Sequence, residues 1–389
     1  MSALNDRIPV TILTGFLGAG KSTLLNRILK DPVMKDAAVI INEFGDVGID
    51  HLLVESSGDS IIELSDGCLC CTVRGELVDT LANLMDAVQT GRVKPVKRVV
   101  IETTGLADPS PVMQAIMGNP VIATNFELDG VVTVIDAVNG LQTLDNHEEA
   151  RKQAAVADRL IVSKKAMAET TDGLEKRLRA LNPRAVMMDA DSAEAGSAAM
   201  LVNGLYDPAT KIADVGRWLQ DEDAHEAHHN HDHGRDGHHN HGHDHDGHHH
   251  HHAHADQDPH DVNRHDASIR SFSIIEEKPI DPMALEMFID LLRSAHGEKL
   301  LRMKAIVSVS DRPDRPLVLH GVQSIFHPPV RLPAWPGEDR RTRMVLITRD
   351  LPEAFVKDLF DAFLGKPRID MPDRAALSDN PLAIPGLRI

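Results

Sequence analysis

The only three cysteines of this 389-residue chain, Cys68, Cys70 and Cys71, fall within one four-residue window, 47 residues after a lysine in a glycine-rich loop. Thiolates this close together are soft ligands for Zn²⁺, Co²⁺ or Cu⁺. With no distant partner they cannot form a disulfide framework that ties separate segments together. Three sulfurs leave tetrahedral Zn²⁺ one position short, to be filled by water, a histidine or a carboxylate, and such an incomplete site suits transfer better than storage. A helix expected from near Arg74 would lower the thiol pKa values, so a redox-sensing cluster is the competing chemistry. Glu43 and Asp46 upstream are either oxygen ligands that link metal to nucleotide or ordinary loop acids.

The glycine-rich loop is Gly15-Phe16-Leu17-Gly18-Ala19-Gly20-Lys21-Ser22, which matches G-x-x-x-x-G-K-[ST]; an apolar run at 10–13 precedes it and a helical run at 22–30 follows. Backbone N–H groups of Gly15, Gly18, Ala19 and Gly20 are expected to wrap phosphates at the helix N-terminus, which Ser22 and Thr23 open. Lys21 would reach the β and γ phosphates, and Ser22 would ligate Mg²⁺. Glu102 ends a second apolar strand, where an acid would orient the Mg²⁺ water shell or the attacking water; Gly105 follows at the spacing of a switch that contacts the γ-phosphate. Lys21, Glu102 and Gly105 are therefore the candidate catalytic residues.

Positioning these groups requires βα units. Strands are expected at 10–13, 38–42, 61–64, 98–101, 130–135 and 160–162, alternating with amphipathic helical stretches, which gives an α/β P-loop NTPase with a mostly parallel sheet. Residues 225–265 hold 18 of the 23 histidines, interleaved with Asp, Gly and Asn. Such a composition cannot bury a core and is expected to be a disordered linker, acting either as a labile collector of Zn²⁺, Ni²⁺ or Co²⁺ or as a solvated spacer. Beyond it, strands at 268–275, 300–309, 317–326 and 344–348 and helices at 282–293 and 352–363 form a smaller α+β domain. His320, His327 and Trp335 read as structural residues there. The expected domains are 1–220, 221–267 and 268–389.

The formal charge of −18 disfavours nonspecific nucleic-acid binding. No run of 18 apolar residues occurs, so no membrane span is expected. The start of the chain lacks the features of a secretory signal, and a reducing cytoplasm suits so few cysteines.

Three segments together, GFLGAGKST at 15–23, GCLCC at 67–71 and ETTGLADP at 102–109, resemble the CobW-like metallochaperones, a branch of the P-loop GTPases that include the urease and hydrogenase maturation GTPases. INEFGDVGID at 41–50 is similar to that family's first switch, and LLRMKAIV at 300–307 and LHGVQSIFHPP at 319–329 to its C-terminal domain. The resemblance implies GTP hydrolysis coupled to delivery of a transition metal, zinc or cobalt, to a client metalloprotein; a homodimer is compatible with it. It also places guanine reading at Ser163 and Lys164. Ala166 stands where the family has an aspartate that pairs with the guanine edge, a loss on the order of 2–4 kcal/mol. Base preference is thus open, and a non-hydrolysing metal buffer or sensor is the alternative to a zinc or cobalt chaperone.

Overall fold

The computed structural model describes residues 7–41, 61–63, 73–202 and 269–366. Cys68, Cys70, Cys71, Glu43, Asp46, the histidine tract and the stretch from 367 onward lie outside the described residues.

Among the described residues, the first sheet comprises β1 (Ile8–Gly15), β2 (Ala37–Ile41), β3 (Ile61–Glu63), β4 (Arg98–Glu102), β5 (Phe126–Asp136), β6 (Arg159–Ser163) and β7 (Val186–Asp189). Their order is β3-β2-β4-β1-β5-β6-β7, and every pair is parallel. The helices are α1 (Lys21–Leu29), α2 (Val73–Gln89), α3 (Ser110–Gly118), α4 (Pro120–Asn125), α5 (Gly140–Asn146), α6 (Glu148–Ala155) and α7 (Asp172–Leu181). They cover both faces of the sheet, which is why its strands read as continuous apolar runs. In β2, Ala38 and Ile40 join the core shared with α2, α3, α6 and α7, while Ala37, Val39 and Ile41 join the core shared with α1. This is the two-residue period of a strand with two buried faces.

The second sheet is antiparallel: β8 (Ile269–Glu276), β9 (Leu300–Val307), β10 (Leu317–Val322), β11 (Ile325–Phe326), β12 (Val330–Arg331) and β13 (Thr342–Arg349), in the order β11-β10-β9-β13-β8 with β12 on β10. Helices α8 (Pro282–His296) and α9 (Glu353–Phe363) bury Phe288, Leu292, Val356 and Phe360 against one face. Asp281 caps α8 by accepting from Met283 and Ala284, with Pro282 at its first position. The strand expected over 317–326 is broken in two. Gln323 adopts a positive φ of 53°, and β10 folds back on β11 with Val322 opposite Ile325. The short edge strand β7 has too little pattern in sequence to be expected.

The opposite face of the second sheet packs on the helices α3, α6 and α7 that cover the first. Ile269, Leu301, Val322 and Ile347 belong to the same core as α3, α6 and α7. Polar contacts bind this interface. Asp158, just before β6 and with a side chain only one-tenth exposed, accepts from Arg302 (2.8 Å) and Lys304 of β9 and from the Val131 N–H (2.8 Å), while Arg302 also donates to the Val156 carbonyl. Glu148 of α6 pairs with Arg349 of β13 at 2.6 Å, and Gln114 of α3 donates to Gln323. His320 is buried at this seam, and its burial, with Arg302 and Lys304 close by, holds its imidazole well below the ordinary pKa. His327 bridges Arg7 and the Pro328 carbonyl, and Trp335 donates to Pro313, so both are structural as expected.

Candidate functional site

The glycine-rich loop joins the carboxyl end of central β1 to the N-terminus of α1, where open parallel sheets bind ligands. Gly15, at φ 142°, passes so close to β5 that a Cβ there would lie 2.3 Å from the Val134 carbonyl oxygen, so no other residue fits. Gly20 enters the helix at φ 97°, a left-handed conformation that glycine adopts without strain. Leu24, Leu25, Ile28 and Leu29 then bury one side of α1 and fix the helix axis.

Around this loop the structure brings together most of the described candidates. Lys21 bends back, with its Nζ 3.4 Å from the Phe16 carbonyl across the loop. The Ser22 hydroxyl donates to Glu102 Oε1 at 2.9 Å, joining the head of α1 to the end of β4. Thr23 is exposed on the first turn. Gly105 packs against the loop backbone, where a Cβ would meet the Leu17 nitrogen at 2.5 Å. Upstream of it, Thr103 is fastened to β1 by its N–H to the Leu13 carbonyl and its hydroxyl to Thr14 at 2.8 Å.

Ser163 and Lys164 reach the same loop from β6. The Ser163 hydroxyl donates to the Ala19 carbonyl at 2.6 Å, and Lys164, at a positive φ of 57°, donates to the Gly18 carbonyl and to Asp136 Oδ2, both at 2.8 Å. Burial pushes the Asp136 carboxyl up, but the hydrogen bond from Lys164 and those from Val138 and Asn139 outweigh it and hold the group below its ordinary pKa. Ala166 is exposed on the short 3-10 turn Lys165–Met167, as is Glu169 beyond it.

Sequence reasoning missed Asp136 and Gln153. Asp136 ends the apolar run of β5, a strand-end acid like Glu102, and that signal could have found it. Gln153 lies inside α6 with nothing in its neighbourhood to mark it, yet its carboxamide donates to the carbonyls of Gly105 (3.2 Å) and Ala107 (2.9 Å). The oxygen donors Ser22 and Glu102, set beside the phosphate loop, suit a hard cation such as Mg²⁺. Among the described residues no cluster of three or more His, Cys, Asp or Glu could hold a metal, and no helix is long and apolar enough to cross a membrane.

A central strand, glycine loop and helix of this geometry, with a strand-end acid on the helix serine, define a P-loop nucleotide-binding protein. Residues 9–189 match the CobW/HypB/UreG nucleotide-binding domain, and residues 269–364 match the cobalamin synthesis protein CobW C-terminal domain. The zinc chaperone YjiA of Escherichia coli is 30% identical, with 91% of this chain and 98% of the relative covered. The zinc chaperone CobW of a Sinorhizobium species is also 30% identical, over 93% of this chain and 99% of the relative. The crystal structure of zinc-bound YjiA GTPase superimposes with a TM-score of 0.61 at 25% identity, covering 93% of this chain and all of that one. The chain belongs to the CobW family of P-loop GTPases.

Proposed function

We propose that this protein is a GTP-hydrolysing zinc chaperone, with Cys68, Cys70 and Cys71 as the cargo site and a client metalloprotein as the acceptor. The observation that carries the nucleotide half is the convergence of Lys21, Ser22, Glu102 and Gly105 on one phosphate loop. Gly15, Gly18, Ala19 and Gly20 supply backbone donors to the phosphates, Lys21 neutralises β and γ charge, and Ser163 and Lys164 brace the loop from the base side. Ser22 and Glu102 would hold Mg²⁺, which supplies charge neutralisation on the phosphates. Gly105 senses the γ-phosphate.

The cargo half is supported by the sequence Gly67-Cys68-Leu69-Cys70-Cys71 and by the relatives similar over nearly all of this chain, the zinc chaperones YjiA and CobW. In this reading residues 1–220 form the GTPase domain, 221–267 a histidine-rich linker and 268–389 the client-facing domain. Glu43 adds an oxygen ligand on the nucleotide side of the cargo. Ala166 favours a second reading, a zinc buffer that binds nucleotide weakly and does not turn it over.

The test is Zn²⁺ affinity by chelator competition in a chain lacking residues 225–265, with and without Mg²⁺ and a non-hydrolysable GTP analogue. A nucleotide-dependent shift of about tenfold or more, lost in Cys70→Ala, is expected for a chaperone cycle. Nucleotide binding with no shift refutes the coupling, and absence of nucleotide binding leaves the buffer.

A further inference from the structure

Gln153 is completely buried in α6, and its side chain is spent on one target, the backbone that follows Glu102. Both of its amide hydrogens go to carbonyls of that segment, Gly105 and Ala107, which fixes which end of the carboxamide is nitrogen. Its Oε1 has no hydrogen-bond partner among the described residues. The side chain lines a small cavity directly beneath the phosphate loop, together with Phe16, Leu17, Ala19 and Asn139.

The segment is pinned on either side of this clamp. Thr103 is tied to β1, and Asp108 is tied to Lys152, the neighbour of Gln153 on α6, at 3.4 Å. Between these anchors Gly105 lies in contact with the loop backbone at Leu17. A carbonyl oxygen turned toward the phosphate side there would repel an anion, whereas one turned inward is removed from it. Gln153 draws two carbonyls inward.

Building on the nucleotide-binding function proposed above, we infer that Gln153 is a positioning residue for the triphosphate state: it holds the Gly105 and Ala107 carbonyls away from the γ-phosphate, so that the segment meets that group with its N–H edge. GDP lacks the γ-phosphate and is indifferent to this arrangement. Gln153→Met keeps the length of the side chain but removes the donor from both carbonyls, of which that of Gly105 is buried, and Gln153→Glu sets acceptor oxygens against them. The discrimination between nucleotides, rather than binding as such, depends on this carboxamide.

The experiment measures GDP and β,γ-imido GTP affinities, with Mg²⁺, for the full chain and both variants. Expected is a loss for the triphosphate analogue of about tenfold or more in Gln153→Met and at least as much in Gln153→Glu, with GDP affinity kept within about threefold. Equal weakening of both nucleotides, or no change in either, overturns the inference and leaves Gln153 a packing residue. Failure of the unaltered chain to bind either nucleotide removes the proposed function itself, and the inference with it. Hydrogen exchange on the unaltered protein gives a readout independent of variant folding. Residues 103–108 should gain protection with β,γ-imido GTP and not with GDP, and identical protection with both also refutes the assignment.

Discussion

Asp158→Asn should be the most damaging single-atom change at the interface between the two sheets. Its carboxylate is one-tenth exposed and accepts from Arg302, which is 3% exposed, and from Lys304, which is 24% exposed. Removing one partner of a buried ion pair costs about 3–5 kcal/mol, because the other charge stays buried without compensation. Lys304 can turn toward water and Arg302 keeps the Val156 carbonyl, so the lower end, about 3 kcal/mol, is expected. For a chain of this size that corresponds to roughly 4–5 °C in melting temperature. Urea unfolding of the full chain at neutral pH measures it. Adding Arg302→Met to Asp158→Asn should restore at least about 1 kcal/mol, since it removes the guanidinium that the first change leaves buried without its counter-charge. A loss below about 1 kcal/mol in Asp158→Asn, or no recovery in the double variant, would refute the view that this pairing clamps the sheets.

The same seam sets an acid response in two stages. His320 is held neutral, so the unfolded chain takes up its proton first and stability falls as the pH drops below about 6.5; Asp158, depressed by Arg302 and Lys304, adds a second loss below about pH 4. Urea midpoints across pH 7 to 3 should show both, with the gap between wild type and Asp158→Asn closing only in the second. Ala166→Asp should raise the preference for GTP over ATP by about 30-fold, on the order of 2 kcal/mol for the guanine edge, read by competition binding. Gly15→Ala, with its Cβ 2.3 Å from the Val134 oxygen, should displace the loop and weaken both GDP and GTP by about tenfold or more in the same assay; retained affinity would show that the loop tolerates the shift.

The phosphate loop, Ser22 and Glu102 were legible in sequence because each is marked by local order: strand, glycines, helix, then an acid at a strand end; Lys164 came only from the family resemblance. The alternation of βα units was legible for the same reason, since buried parallel strands leave unbroken apolar runs such as Ala37–Ile41. Gln153 was not, because a glutamine inside a helix gains its role from a backbone segment 46 residues away. Nor was the break at Gln323, where a hairpin turns on a residue with no glycine to announce it. The seam was hidden too: nothing in the sequence pairs Asp158 with Arg302 and Lys304, which lie more than 140 residues away along the chain.

That seam has a consequence for the chain as a covalent object. Val202 and Ile269 bound the described residues on either side of 203–268, and the two sheets are joined across their faces by Ile269, Leu301, Val322 and Ile347 and by the Asp158 and Glu148 pairs. The peptide between them is not what keeps them together. A chain nicked anywhere in 225–265 should travel through a sizing column as one particle, two fragments held by surface alone.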